Sequence, residues 1–431
     1  MRGYWIATLL ALTSSPLAAQ SVGIVPGQPT VFTIPATAYT TALHFDVPAG
    51  TSSIKVELSS DTANVDLDLF LRYGNAFSSQ TPYGRAMDVD SLQDQAQYFA
   101  ISGGDQETIS IGRSNYRPAK EGRWYLSVLN FATFPANARI RVELGNAAAQ
   151  AVQFDVRFDL ADASCDVAPW NDSTPATPVG GNPGTTLGQQ RRNAMIEALR
   201  QLGTGFDSET PITVRACWDA LAVDSAGRTT LAAAAPDDFL IDDRSLVVNG
   251  DSFNPAPFLP EKYAFYSAAP AVRLAGTRAC SLRGGDCADL TDMTITYNRR
   301  IGEPGVLNGA RFYLGYNAAP SGSLDFVGVS VHELGHGLGF LSLTRLSAPV
   351  GAELLGRDDI YARQIVDNRS FPMRAFSSLT DAERADVMTS LSGLSWIDAR
   401  AANSPLNTQT GFPACCCMRR IRSSGDRACR T

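Results

Sequence analysis

Residues 331–340 constrain this chain most, because they hold two of the three histidines in 431 residues. On an α-helix, His332 and His336 lie one turn apart on the same face, so both imidazoles can bind one zinc ion. Glu333 points about 100° further round the helix, where its carboxylate can take a proton from a metal-bound water. The spacing therefore predicts a helix with a hydrolytic zinc centre. The alternative is a core helix in which the pattern arose by chance.

The residues around this motif favour a helix that is buried along one side. Four apolar residues recur at helical spacing: Val327, Val331, Leu334 and Leu338. We expect Gly337 and Gly339 to end the helix, because glycine adopts the left-handed conformation found at helix stops. Two histidines leave the site incomplete, since zinc normally takes a third protein ligand.

Composition and the N-terminus bound the class of protein. A formal charge of -7 and a pI near 5.1 argue against a nucleic-acid partner, which needs a clustered basic surface. Residues 1–19 resemble a secretory signal peptide, with Arg2, a short apolar run and a small-residue cleavage site. The run is too short to span a membrane. We therefore expect a secreted protein, extracellular or periplasmic, without a membrane span.

The eight cysteines fit an oxidising compartment. Cys280 and Cys287 are close enough in sequence to close one surface loop, which leaves Cys165 and Cys217 as the other pair in the body of the chain. Sequence alone allows three connectivities for these four residues, and free buried thiols are the alternative.

Residues 22–160 show short alternating strands separated by turns, which predicts an all-β antiparallel sandwich. The segment resembles the bacterial pre-peptidase C-terminal domain in three places: Asp66-x-Asp-Leu-Phe-Leu-Arg-x-Gly74, Glu107-Thr-Ile109 and Gly122-Arg-Trp-Tyr-Leu126. The resemblance implies an accessory module of a secreted hydrolase. We interpret Asp66 and Asp68 as a solvated strand face rather than a calcium site, and His44 as a surface histidine of an early strand.

Residues 165–414 predict a second, α+β domain. The stretch 166–188 has the composition of a linker. A helix is expected to end at Gly203, and another to open at Thr380 with the capping-box partner Glu383. Strands are expected at 212–217, 246–248 and 293–297, with an edge strand at 309–315.

The second domain resembles the metzincin metallopeptidases, and in particular leishmanolysin-type enzymes and their exported bacterial relatives. The resemblance rests on His332-Glu-x-x-His-x-x-Gly-Phe340, Gly180-Gly-Asn-Pro-Gly184, Asp359-Ile-Tyr-x-Arg363 and Thr380-Asp-Ala-Glu-Arg384. It implies a zincin-like fold that includes the apparent linker. Most metzincins carry a third histidine where this chain has Ser342. In the leishmanolysin type the third histidine instead comes tens of residues later, in a Ser-His-Trp segment.

No histidine follows His336. Either a carboxylate is the third ligand, with Asp359 as the first candidate and Glu353 as the second, or the family's segment is lost. Residues 415–431, with four cysteines and five arginines, form an aberrant tail that favours loss. If one particular set of codons is chosen for residues 418–431 and translation starts one base earlier, the resulting peptide ends in Ser-His. A frameshift would produce this change of reading frame. The alternative is a genuine basic tail that binds an acidic partner or pairs its cysteines.

The leading hypothesis is a secreted zinc metalloendopeptidase that hydrolyses a protein or peptide substrate. His332 and His336 would bind zinc, and Glu333 would act as general base and then as proton donor. The competing hypothesis is a secreted binding protein in which the β-sandwich is the functional part and the zincin-like domain is inactive.

Overall fold

The computed structural model describes residues 22–396 except for positions 42, 79–88, 113–114, 116, 147–150, 244, 249–250, 253–255, 257, 285–286, 288–289, 348 and 391–392. This part of the chain is rich in β-structure, with several sheets and five α-helices in a multidomain arrangement. None of its helices is both long enough and apolar enough to cross a membrane. The expected signal peptide at 1–19 and the tail at 415–431 lie outside the described residues.

The described residues before position 147 form, in chain order, β1 (Val22–Gly23), β2 (Thr30–Ile34), β3 (Leu43–Val47), β4 (Ser53–Ser60), β5 (Leu67–Tyr73), α1 (Val89–Gln95), β6 (Tyr98–Ala100), β7 (Glu107–Ile111), β8 (Gly122–Asn130) and β9 (Ala136–Gly145). Those after position 150 form β10 (Phe154–Arg157), α2 (Leu187–Gly203), β11 (Ile212–Asp219), β12 (Ala232–Pro236), β13 (Phe239–Leu240), β14 (Val247–Val248), β15 (Asp251–Ser252), β16 (Ala264–Ser267), α3 (Ala268–Ala275), β17 (Met293–Asn298), β18 (Phe312–Tyr313), β19 (Leu324–Asp325), α4 (Phe326–Gly337), β20 (Arg345–Ser347), β21 (Val350–Ala352), β22 (Asp358–Asp359), β23 (Ile365–Asp367), β24 (Arg374–Ala375), α5 (Asp381–Thr389) and β25 (Leu394–Trp396).

The N-terminal strands form a two-sheet sandwich with strand orders β1-β3-β8-β5-β6 and β2-β9-β4-β7. Alternate residues of both sheets point inward and share one apolar core. The expectation of a purely antiparallel, all-β module is wrong in two details. The pair β1–β3 is parallel, because β2 crosses to the other sheet between them, and α1 precedes β6.

The interpretation of Asp66 and Asp68 as a solvated face is wrong for Asp68, which is only 2% exposed. Leu67 and Leu69 of β5 face the sandwich core, whereas Phe70 on the opposite face belongs to a second apolar core shared with the following domain. Asp68 shares that covered face with Phe70. Burial raises the pKa of Asp68 well above its usual range, and the charge of Asp66 adds to this effect.

The second domain contains a mixed sheet of order β10-β11-β17-β12, in which β12 is the antiparallel edge strand. α2 and α4 pack together, and α4 also contacts β12 and β17. β10 belongs to this sheet, although the sequence division at 160 places it with the sandwich. Its partly buried residues Phe154 and Val156 pack against the core of the mixed sheet, which explains its position.

The stretch 166–188 is packed against the second domain, although its composition is typical of a linker. Trp170 is buried, and its indole nitrogen donates to the carbonyl of Ala216 at 2.8 Å. The Asn182 amide donates to the carbonyls of Gln190 and Leu314 at 2.8 and 2.7 Å. These contacts connect the segment to β11, α2 and the loop before α4.

The cysteine pairing that the sequence left open is Cys165–Cys217 and Cys280–Cys287. The first disulfide ties the segment before α2 to β11, and the second closes a short loop. The predicted helix end at Gly203 is confirmed, and the other predicted strands are found with shifted ends. The expected edge strand at 309–315 shrinks to β18, whereas α5 has the predicted capping box.

Candidate metal centre

The motif lies on α4, as its spacing predicts. The Asp325 carboxylate begins the helix by accepting a hydrogen bond from the Gly328 amide at 3.0 Å. The predicted apolar stripe is confirmed, because all four of its residues lie in the core of the mixed sheet or pack against it. Phe326 anchors the first turn, with its ring stacked on Tyr297 at a centroid distance of 4.5 Å.

Gly337 has a different role from the predicted one. It is the last helical residue, and a Cβ atom there would lie 2.5 Å from the Met293 sulfur, so glycine allows α4 to approach β17. Nearby, the hydroxyl oxygens of Tyr297 and Ser330 are 2.6 Å apart. This contact ties the middle of α4 to the sheet and holds the motif face in a fixed orientation.

The two histidines of the motif face each other across one helical turn. Their ring centroids are 4.9 Å apart, with the ring planes perpendicular. His332 is exposed, whereas His336 is only 7% exposed. The His332 imidazole is therefore accessible to solvent, whereas the His336 imidazole is buried on the same face of the helix.

The turn after α4 orients His336. Gly339 has φ +98°, and its amide donates to the His336 carbonyl at 3.0 Å, while the Phe340 amide donates to the Gly335 carbonyl at 3.0 Å. This pair of hydrogen bonds is the Schellman arrangement. It brings the Phe340 carbonyl oxygen to 3.0 Å from the His336 Nδ1 atom.

This contact fixes the tautomer of His336. A carbonyl oxygen can only accept, so Nδ1 donates, and in the neutral imidazole Nε2 then keeps its lone pair. Histidines that bind metals through Nε2 typically donate Nδ1–H to a carbonyl or carboxylate in this way. His336 can therefore offer Nε2 to a metal ion, and the other imidazole of the motif, that of His332, lies one helical turn earlier.

Glu333 is buried beside this pair, with 4% exposure. Its negative charge also acts on Tyr297: burial raises the pKa of the phenol, Glu333 raises it further, and the hydrogen bond to Ser330 opposes the shift. Tyr297 is consequently a neutral hydroxyl group that lies within range of the charge of Glu333.

Asp359, the first candidate for the third ligand, is buried and bound to the protein. Its Oδ2 atom accepts from the Ser342 hydroxyl and the Leu343 amide at 2.8 and 2.7 Å, and its Oδ1 atom accepts from the Ala362 amide at 2.7 Å. Burial raises the pKa of Asp359, and these hydrogen bonds oppose the shift. In this geometry, Asp359 fastens the segment that follows α4.

Glu353, the second candidate, forms an ion pair with Arg384 at 2.9 Å. Burial raises its pKa to about 7, and a hydrogen bond to Asp358 reinforces the shift. Among the residues that the structure describes, no three His, Cys, Asp or Glu side chains form a group able to hold a metal ion. The structure thus brings His332, Glu333 and His336 together without adding a carboxylate to them.

His44 lies on β3 in the sandwich, where its ring is 6.0 Å from that of Tyr125. Sequence reasoning missed two groups that support the motif, the Phe340 carbonyl and the Tyr297 hydroxyl. The first had a local signal, because a glycine followed by an apolar residue just past a helix end is typical of a Schellman turn. The second had none, since β17 is distant in sequence.

No protein-family model matches the sequence. A comparison with curated proteins also gave no match. Among solved structures, the chain is similar to the pre-peptidase C-terminal domain of a collagenase from Bacillus anthracis, at 12% identity over 28% of this chain and 91% of that chain, with a TM-score of 0.19. It is also similar to the Yersinia pseudotuberculosis-derived mitogen, at 10% identity over 29% of this chain and 91% of that chain, with a TM-score of 0.16. At such TM-scores neither likeness carries an argument about function.

Proposed function

We propose that this chain is a secreted zinc-dependent metalloendopeptidase, with His332 and His336 as metal ligands and Glu333 as the catalytic base. One observation carries the proposal: the Phe340 carbonyl holds the proton of His336 on Nδ1, which leaves Nε2 free to bind a metal.

The chemistry follows from the residues on one face of α4. Zinc bound there would supply a Lewis acid that polarises the scissile carbonyl and lowers the pKa of water. The Glu333 carboxylate accepts a proton from the attacking water and then donates it to the leaving amine.

The rest of the second domain supports this proposal. The motif helix packs against a mixed sheet beside α2, so it lies in a domain that contains both helices and strands. Two disulfides in the body of the chain support export, because such bonds persist in oxidising compartments. The substrate class, a protein or peptide, comes from the metzincin resemblance.

The third ligand is a separate prediction. Asp359 accepts three hydrogen bonds, one of them from the Ser342 hydroxyl, and a metal ion bound to its carboxylate would compete with them. Asp359→Asn keeps the size of the side chain and removes its charge. If zinc affinity is unchanged while stability falls, Asp359 has a structural role; a large loss of affinity would assign it to the metal.

The deciding experiment combines metal binding and hydrolysis in the full chain. If the folded chain supplies a third ligand, we expect stoichiometric zinc, and hydrolysis of an unfolded protein substrate that a chelator stops and added zinc restores. With the two histidines alone, we expect weakened zinc binding and little or no hydrolysis. Glu333→Gln should keep zinc and lose activity, whereas His336→Ala should lose both. His44→Ala is the matched control, because it removes the only histidine outside the motif, and it should change neither quantity.

A negative result has a defined meaning. If the wild-type chain binds zinc with no hydrolysis, the binding-protein hypothesis gains support. If it binds no zinc at neutral pH, the proposed metal centre is wrong.

A further inference from the structure

Helix α3 connects the candidate metal centre to the N-terminal sandwich. Its small side chains enter three different apolar clusters: Ala269 lies in the core of the mixed sheet, Ala271 and Ala275 lie in the core shared with the sandwich, and Val272 lies in a third cluster. One short helix therefore contacts both parts of the molecule. A displacement of α3 would therefore change the contacts at both of its ends.

The N-terminal end of α3 supports the turn that orients His336. A Cβ atom at Gly339 would lie 2.2 Å from the Ser267 hydroxyl oxygen and 3.8 Å from a ring carbon of Pro270. The backbone of the Schellman turn is thus in contact with the first turn of α3. The next residue, Phe340, provides the carbonyl oxygen that accepts the hydrogen bond from His336 Nδ1.

The C-terminal end of α3 is capped by the sandwich. The Asn115 amide donates to the carbonyls of Arg273 and Leu274 at 3.0 and 3.4 Å, in the last turn of the helix. Such carbonyls lack partners within a helix and need one from elsewhere. Gly276 then reverses the chain with φ +69°, and a Cβ atom there would lie 2.1 Å from the Ser110 carbonyl oxygen.

The same contact covers an edge of the sandwich. In the part of the chain that the structure describes, β7 is the last strand of its sheet, and one side of its backbone pairs with no other strand. The Ser110 amide donates to the Gly276 carbonyl at 2.7 Å, and the Thr277 hydroxyl donates to the Thr108 carbonyl at 2.8 Å. The second domain thus completes hydrogen bonds that the edge strand leaves open.

An apolar core and a further backbone bond extend this interface. The rings of Phe99 in the sandwich and Phe258 in the second domain meet edge to face, with centroids 5.9 Å apart. The Ile101 amide donates to the Ser281 carbonyl at 2.6 Å, inside the loop closed by the Cys280–Cys287 disulfide. The two parts are joined along α3 and the loop that follows it.

We propose that the N-terminal sandwich is a positioning element of the candidate metal centre. By capping the C-terminal end of α3, Asn115 and the β7 edge hold the helix against Gly339, and so fix the turn that orients His336. The consequence for metal affinity rests on the proposed zinc site. The mechanical coupling between the sandwich and the turn does not.

The test compares two buried asparagines of the sandwich in the full chain. Asn115→Ala removes the cap on α3. Asn130→Ala is the matched control, because its amide also bonds backbone carbonyls, those of Pro35 and Phe134 at 3.1 and 3.0 Å, but entirely within the sandwich. Both side chains are at most 5% exposed, so both losses leave buried acceptors without a donor.

The readout is hydrogen exchange of the peptide that contains the amides of Gly339 and Phe340, measured without metal. We expect Asn115→Ala to speed this exchange by about tenfold or more. Asn130→Ala should leave the exchange rate unchanged when each variant is measured at the same distance from its own unfolding midpoint. Thr277→Val, which removes only one hydroxyl contact, should give a smaller increase and covers the case in which Asn115→Ala does not fold.

Zinc affinity gives a second readout. Asn115→Ala should weaken zinc binding by about tenfold, the low end of the effect of losing support behind a ligand. Equal exchange at the turn in both asparagine variants would overturn the proposal. A wild-type chain that binds no zinc would refute the proposed function, while the exchange data would still decide whether the sandwich holds the turn.

Discussion

Replacing Gly339 by alanine tests the link between the helix stop and the metal ligand. Alanine at φ +98° costs about 1–2 kcal/mol relative to an ordinary backbone conformation. The new methyl group would also lie 2.2 Å from the hydroxyl oxygen of the buried Ser267, and relieving such a contact costs about 1–3 kcal/mol. We therefore expect Gly339→Ala to lower the free energy of unfolding by about 2–5 kcal/mol.

Displacement of the turn should also affect the metal site. The Phe340 carbonyl would move away from His336 Nδ1, and loss of such support typically reduces metal affinity by about 10–100-fold. Urea unfolding measures the stability, and competition with a chromogenic chelator measures the zinc affinity. Both losses are expected in the same variant, because both depend on one turn.

Gly335→Ala is the matched control on the same helix. A Cβ atom there has nothing within 4 Å, and the residue is helical, so the change should raise stability by about 0.5–1 kcal/mol without loss of zinc. The reasoning is refuted if Gly339→Ala is as stable as the wild type and binds zinc equally well. It is also refuted if the two variants shift stability in the same direction.

Three further predictions concern stability. Burial raises the pKa of Glu107 from 4.5 to about 7, so the contribution of its protonated form to stability is complete below pH 4.5 and is lost as the pH rises through 7. Glu107→Gln should flatten this pH dependence and raise the free energy of unfolding at pH 8 by about 3 kcal/mol in urea titrations. An unchanged pH profile would contradict the assignment. Replacing both cysteines of the Cys165–Cys217 disulfide by serine should cost about 4 kcal/mol, given a sequence separation of 52, as measured by chemical unfolding under non-reducing conditions. Thr380→Ala removes the cap of α5 and should cost about 1 kcal/mol in the same assay, whereas no change would mean that tertiary packing alone sets the start of that helix.

Local patterns were sufficient for several parts of the structure. The spacing of His332 and His336, the apolar stripe behind them and the capping box of α5 depend on residues within a turn or two of each other, so helix geometry alone predicts them. Strand alternation likewise predicted the main strands of the sandwich, because successive side chains point to opposite faces of a sheet. These features are encoded over short stretches of the chain.

Other features depend on which surfaces meet in the folded chain. Asp68 reads as an outward-facing residue of β5, and it is buried because the second domain covers that face. Asp359 has the right chemistry for a ligand, but its two oxygens are held by the chain around Ser342 and Ala362. Neither outcome has a signal in the local sequence, because each depends on the packing of distant segments.

The motif spacing is enough to predict an α-helix that presents two imidazoles and a carboxylate at neighbouring positions, since the helical repeat sets their relative directions. The support of that helix depends instead on the packing of distant segments. α3 packs against the Gly339 turn at one end and is capped by the sandwich residue Asn115 at the other. Contacts between segments so far apart in sequence form only when separate elements bury their surfaces against each other, so no local pattern encodes them.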